Sequence, residues 1–298
     1  MNNKGDHKVA GLFNSLSGIS RHMRMYFGET PLASGTCFFV MSSDGPVLVT
    51  NRHNFTGRHN ITDKPIHKRC GIPNHAVVTL HGPGEVHYHI DLVDRENPEL
   101  PSWVEHPLLG AKADIVALPV KEITNIIGEK NSISLEGVSS RANWHRWDVG
   151  SELQVIGYPY GQIGGPFPIW SKGFIASEPD VDIANLPVFL IDCRSRPGQS
   201  GSPVWARFRK GDIVTRNGND YQAKAAMNYF LGVYSGRLRD DSDLGIVWKR
   251  SCIDELVNHA VTHGTQHQME LRRHRFTAAF SGEFRLDRFV SDGFEAVE

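Results

Sequence analysis

The chain has 298 residues, enough for one large domain or two small ones with a sizeable core. Its 40% hydrophobic and 22% charged residues are ordinary for a soluble globular protein. A net charge of −1 gives no basic field to gather nucleic acid or an anionic membrane, and no apolar run reaches the roughly 18 residues a membrane helix needs.

The opening residues MNNKGDHKVAGLFNSLSG are polar and charged before anything apolar, and Val9 to Leu16 is too short and too polar for a signal-peptide core. The expectation is a cytoplasmic protein. Residues 1–30 read as an N-terminal extension with weak helical patterning at Leu12, Leu16, Ile19 and Met23. From Gly35 the chain turns β-rich. Thr36–Val40 and Pro46–Thr50 flank Ser42-Ser43-Asp44-Gly45, which predicts a hairpin. Ala76–Leu80, Val86–Leu92 and Asp114–Val120 are further strand candidates. Ser134–Trp147 is polar and reads as a connector between two halves.

Strands resume at Leu153–Gly157, Ile169–Ala176, Val188–Cys193, Ser202–Arg207, Phe230–Tyr234 and Leu244–Trp248. Such short strands, punctuated by Gly/Pro turns, predict paired sheets or barrels. Arg209–Asn219 reads as a protruding hairpin. Ser251–His259 is the one convincing helix, with Ile253, Leu256 and Val257 at helical spacing. Residues 263–298 form a C-terminal extension rich in His, Arg and Phe. The four cysteines, Cys37, Cys70, Cys193 and Cys252, form no C-x-x-C pair; Cys37 and Cys193 lie in apolar strand-like runs and read as buried free thiols, which fits a disulfide-poor protein.

The chemistry concentrates at Arg196-Pro197-Gly198-Gln199-Ser200-Gly201-Ser202-Pro203-Val204. Glycines on both sides of Ser200 permit a sharp turn that exposes the hydroxyl and frees the amides of Gly198 and Ser200 for an oxyanion. The plain alternative is a Gly/Ser β-turn between strands. A serine nucleophile needs a base, and the base needs an orienting group. Among 15 histidines, His53 is the best placed, beginning a loop just beyond the strand Val47–Thr50. Asp114 heads the run Ile115-Val116-Ala117-Leu118, where a carboxylate is costly unless hydrogen-bonded. Each residue alone also fits an ordinary surface position; the order His, Asp, Ser is what joins them.

The segments Val49–His53, Ala113–Leu118 and Pro197–Val204 resemble the signature segments of trypsin/chymotrypsin-like serine peptidases. The resemblance is closest to the bacterial branch of glutamyl endopeptidases, with a looser likeness to the HtrA type. Val155–Pro159, Trp170–Gly173 and Leu231–Gly236 support it, so it spans roughly residues 31–260. It implies an all-β fold of two six-stranded antiparallel barrels, about 31–122 and 151–250, joined by a connector and closed by a helix at 251–262. It also implies a serine endopeptidase acting on polypeptides, with no metal or organic cofactor. His53, Asp114 and Ser200 would form the triad, and Gly198 and Ser200 the oxyanion hole. Arg194 and Ser195 would form the floor of the specificity pocket, and Tyr234, Ser235 and Gly236 one wall. Arg194, or Arg237 beyond that wall, would pair with an acidic residue before the scissile bond.

Two positions depart from the family. Gln199 cannot form the ion pair by which trypsin-like zymogens capture a new N-terminus. Tyr234 stands where glutamyl endopeptidases carry histidine. The alternative reading is a silent or partner-activated peptidase-fold protein, with the C-terminal extension as docking point for a regulatory protein. His87-Tyr88-His89 places two imidazoles on one strand face without an identifiable third metal ligand.

Overall fold

Thr36–Val40 has four apolar residues in succession, which in a strand means burial on both faces. In the computed structural model, this run is the middle of β2 (Thr30–Ser42). The structure describes residues 14–81, 85–93, 100–135, 147–162, 165–216, 219–239, 241–263 and 275–278. Successive side chains of a strand point to opposite faces. Cys37 and Phe39 therefore enter one core cluster with Leu48, Val78 and Tyr88. Phe38 and Val40 enter another with Ile156, Trp205 and Phe230. The first cluster fills one barrel. The second is the seam between two barrels.

β1 (Ser20–Phe27), β2, β3 (Gly45–Thr50), β4 (His75–His81), β5 (Glu85–Asp91), β6 (Val104–Glu105) and β7 (Val116–Pro119) build the first barrel. They lie in the order β5-β4-β1-β2-β3-β7-β6. Its two ends are drawn together by a Val93–Pro101 bridge and the Ser102 amide donating to the Leu92 carbonyl. The short β8 (Ile133–Ser134) adds in parallel to β2. β9 (Glu152–Gly157), β10 (Ile169–Ile175), β11 (Val188–Asp192), β12 (Pro203–Phe208), β15 (Met227–Arg237) and β16 (Leu244–Lys249) close the second barrel in the order β10-β11-β16-β15-β12-β9. β13 (Ile213–Arg216) and β14 (Asn219–Gln222) stand apart as the expected hairpin, placed slightly later than 209–219. α2 (Arg250–His263) lays Ile253, Leu256, Val257 and Ala260 on the seam.

The structure corrects the sequence reading in several places. Ser20–Phe27, read as part of a weakly helical lead-in, is strand β1, paired with both β2 and β4. Met23 and Met25 alternate into the barrel, and pairing on two edges overrides the weak local pattern. His53 lies in a short helix, α1 (Arg52–Thr56), and not in a loop. Part of the C-terminal extension, β17 (Arg275–Ala278), pairs antiparallel with β5, so the first sheet is wider than six strands. Residues 1–13, most of the connector (136–146) and Arg272–His274 lie outside the described residues.

Candidate active site

β3 carries the chain to Thr50, and α1 turns it back at once. Gly57, at φ +62°, ends α1 and donates its amide to the His53 carbonyl. Asn51 is buried beneath this corner and donates to the Asp114 carbonyl at 2.6 Å. Phe55 of α1 meets Trp103 with ring centroids 5.6 Å apart, which packs the helix against the loop leading to Asp114. The Trp103–His106 segment thus sets the approach of base and acid.

Asp114 is 6% exposed and fully engaged. Its Oδ1 accepts the His53 backbone N–H at 2.9 Å, and its Oδ2 accepts the His53 Nδ1–H at 2.7 Å. The Ser235 hydroxyl donates to the same Oδ2. Three donors compensate the desolvation of a buried carboxylate. With Nδ1–H committed to Asp114, Nε2 keeps its lone pair for a proton. Burial, the largest influence on His53, disfavours the imidazolium. The charge of Asp114 and the hydrogen bond to it outweigh burial and raise the pKa above 6.5.

Ser200 is tied to β2 and α1 through its backbone. Its carbonyl accepts the Thr36 amide at 2.9 Å and Asn54 Nδ2 at 3.2 Å, so the residue following His53 grips the serine's own peptide. Gly198 has φ +97°, and a Cβ there would sit 2.4 Å from the Tyr158 carbonyl oxygen. Gly201 has φ +88°, and a Cβ there would sit 1.9 Å from the Thr36 carbonyl oxygen. Both positions demand glycine. The Gly198 carbonyl accepts the Thr36 hydroxyl at 2.9 Å. Among the described residues, the amides of Gly198 and Ser200 donate to no protein acceptor.

Gln199 is buried, and its side chain braces the turn. Oε1 accepts the Arg196 amide at 2.7 Å, and Nε2 donates to the Ser171 hydroxyl at 2.7 Å. A neutral amide thus occupies the place where an acidic residue would need an ion-pair partner.

The expected pocket residues divide. Ser195 is buried and accepts the Tyr234 hydroxyl. Arg194 and Arg237 are exposed, and Gly236 is partly exposed on β15. Ser235, read as a pocket wall, also holds Asp114. That contact, the Asn54 grip and the Gln199 brace escaped the sequence reading, because each joins segments whose proximity no local pattern announces. Among the described residues no three His, Cys, Asp or Glu side chains gather as a metal site, and His89 faces the ring of His75 at 6.5 Å.

The profile of the trypsin-like peptidase domain family matches residues 35–214. No curated protein sequence matches the chain. Among solved structures, the chain is similar to the serine endoprotease from Yersinia pestis at 12% identity and TM-score 0.49. That alignment covers 83% of this chain and 64% of the other, so the chain spans less than two thirds of that protein. It is also similar to the active form of the Rv3671c protease from M. tuberculosis, at 18% identity and TM-score 0.43, covering 85% and 83% of the two chains. A third similar structure is the HtrA-type protease AlgW with a decapeptide, at 13% identity and TM-score 0.46, covering 91% and 77%.

Proposed function

Because this chain belongs to the trypsin-like peptidase family, we propose that it is a serine endopeptidase in which His53, Asp114 and Ser200 act as a triad on polypeptide substrates. The observation that carries this is the Asp114–His53 pair, clamped through Asn54 to a Ser200 turn whose two amides have no acceptor among the described residues.

Ser200 Oγ attacks the scissile carbonyl carbon while His53 Nε2 takes its proton. The carbonyl oxygen becomes an oxyanion within reach of the Gly198 and Ser200 N–H groups. Collapse of this intermediate breaks the C–N bond, and His53 gives the proton to the leaving amine. Water then attacks the acyl ester with His53 again as base, releasing the acid and restoring Ser200. Asp114 holds the imidazole and stabilises its charged form. The β12 ladder on β15 ends at the Pro203–Val233 pair and Tyr234 still bonds to Gly201 and Ser202, so the edge left for an extended substrate begins after Tyr234, at Ser235–Arg237.

A preference for an acidic residue before the scissile bond would draw on Arg194 or Arg237. Both are exposed, and solvent screens such a cation. The reducing cytoplasm belongs to the same proposal, since all four cysteines are free. A regulatory partner docking on the C-terminal extension would compete with β5 for β17.

Labelling with a fluorophosphonate probe tests the assignment. The wild-type protein is expected to react and Ser200→Ala to give none; undiminished labelling of the variant refutes the triad.

A further inference from the structure

Two segments border Ser200. One is 194–198, which leads into the turn. The other is Tyr234–Gly236 of β15, tied to the turn by Gly201 N–H to the Tyr234 carbonyl and Tyr234 N–H to the Ser202 carbonyl, each 2.9 Å. In the serine peptidase reading, these two segments bound the pocket for the side chain before the scissile bond. Gly245 lies behind them, paired with Arg237 on one side and Ile191 on the other.

The Tyr234 side chain reaches from one of these segments to the other. Its side chain is 2% exposed, and its hydroxyl donates to Ser195 Oγ. A Cβ on Gly245 would lie 2.5 Å from Tyr234 Cε2 and 3.2 Å from Ile191 Cγ1, so the ring rests on bare backbone. Burial, opposed by the hydrogen bond to Ser195, pushes the phenol up to about 12, so the group is a neutral hydroxyl at any working pH. The cation expected at the pocket floor, Arg194, is exposed instead.

Resting on the serine peptidase reading, we propose that Tyr234, anchored on Ser195 and seated over Gly245, truncates the specificity pocket, so that the enzyme cleaves after small uncharged residues such as Ala, Ser or Val. A long acidic side chain would meet a neutral ring before any cation. A phenyl or leucyl side chain would overlap that ring, and repacking a filled interior is costly.

The test is the cleavage profile of the full-length wild-type protein on a proteome-derived peptide library, beside Tyr234→Val and Tyr234→Phe, with fluorophosphonate labelling of each. Wild type is expected to favour Ala, Ser and Val over Leu, Phe, Glu and Arg by about 10-fold or more, a discrimination within reach of pocket fit. Tyr234→Val should move the optimum to Leu or Phe by a similar factor. Tyr234→Phe keeps the ring and should keep the small-residue preference, and it serves if the valine variant does not fold. A flat or Glu-favouring wild-type profile, or an unchanged profile in a labelled Tyr234→Val protein, overturns the inference while leaving the peptidase reading intact. Absence of Ser200-dependent labelling in the wild type overturns both.

Discussion

Asp114 accepts from the His53 ring, the His53 backbone and Ser235 at once, so its carboxyl group is held in place beside the imidazole. The protonated ring is favoured as a result, and the proton leaves at a pH above the ordinary 6.5. A base must be neutral to act, so the acidic limb of kcat/KM against pH is expected to have its midpoint above that value. Asp114→Asn removes the charge that opposes burial. The limb should then move to lower pH, and kcat should fall by about 10⁴-fold because the tautomer is no longer enforced. A pH series of peptide hydrolysis by both proteins measures the two effects together, and an unmoved limb would contradict the pairing.

At the scale of elements, the turn 196–201 is held by contacts from three directions: Thr36 of β2, Asn54 of α1 and Ser171 of β10. Gln199 links the last of these to the backbone of the turn itself. Gln199→Ala would leave the Arg196 amide and the Ser171 hydroxyl without that partner and let the 196–199 backbone drift. Oxyanion donors act mainly in the transition state, so kcat should fall by about 10²-fold while KM changes little. Steady-state kinetics separate this from a merely structural role, which would lower thermal stability and leave kcat per folded molecule unchanged.

At the scale of the molecule, the proposed site draws its residues from two barrels that meet along one seam. Phe230 sits at the middle of that seam, with ring centroids 5.5 Å from both Phe38 and Trp205. Phe38 comes from the first barrel and the other two from the second, so removing this ring weakens the contact between the barrel that carries His53 and the one that carries Ser200. Phe230→Ala is expected to cost about 3–5 kcal/mol. Urea unfolding would measure it, and a loss below about 1 kcal/mol would show that the seam is held elsewhere.

Much of this was legible in the residue order. The run Thr36–Val40 announced a strand of a hairpin, glycines around Ser200 announced a turn with unusual dihedrals, and Asp114 at the head of an apolar run announced a carboxylate in need of a donor. These are local properties, written in composition and period. The strand character of Ser20–Phe27, the strand Arg275–Ala278 on β5 and the placement of Tyr234 were not legible. Each depends on which distant backbone or side chain arrives alongside: β2 and β4 for the first, β5 for the second, Ser195 and Gly245 for the third. Residue types limit what a position can do; the long-range meeting of segments decides which of those possibilities is taken, because pairing and burial energies outweigh local preference.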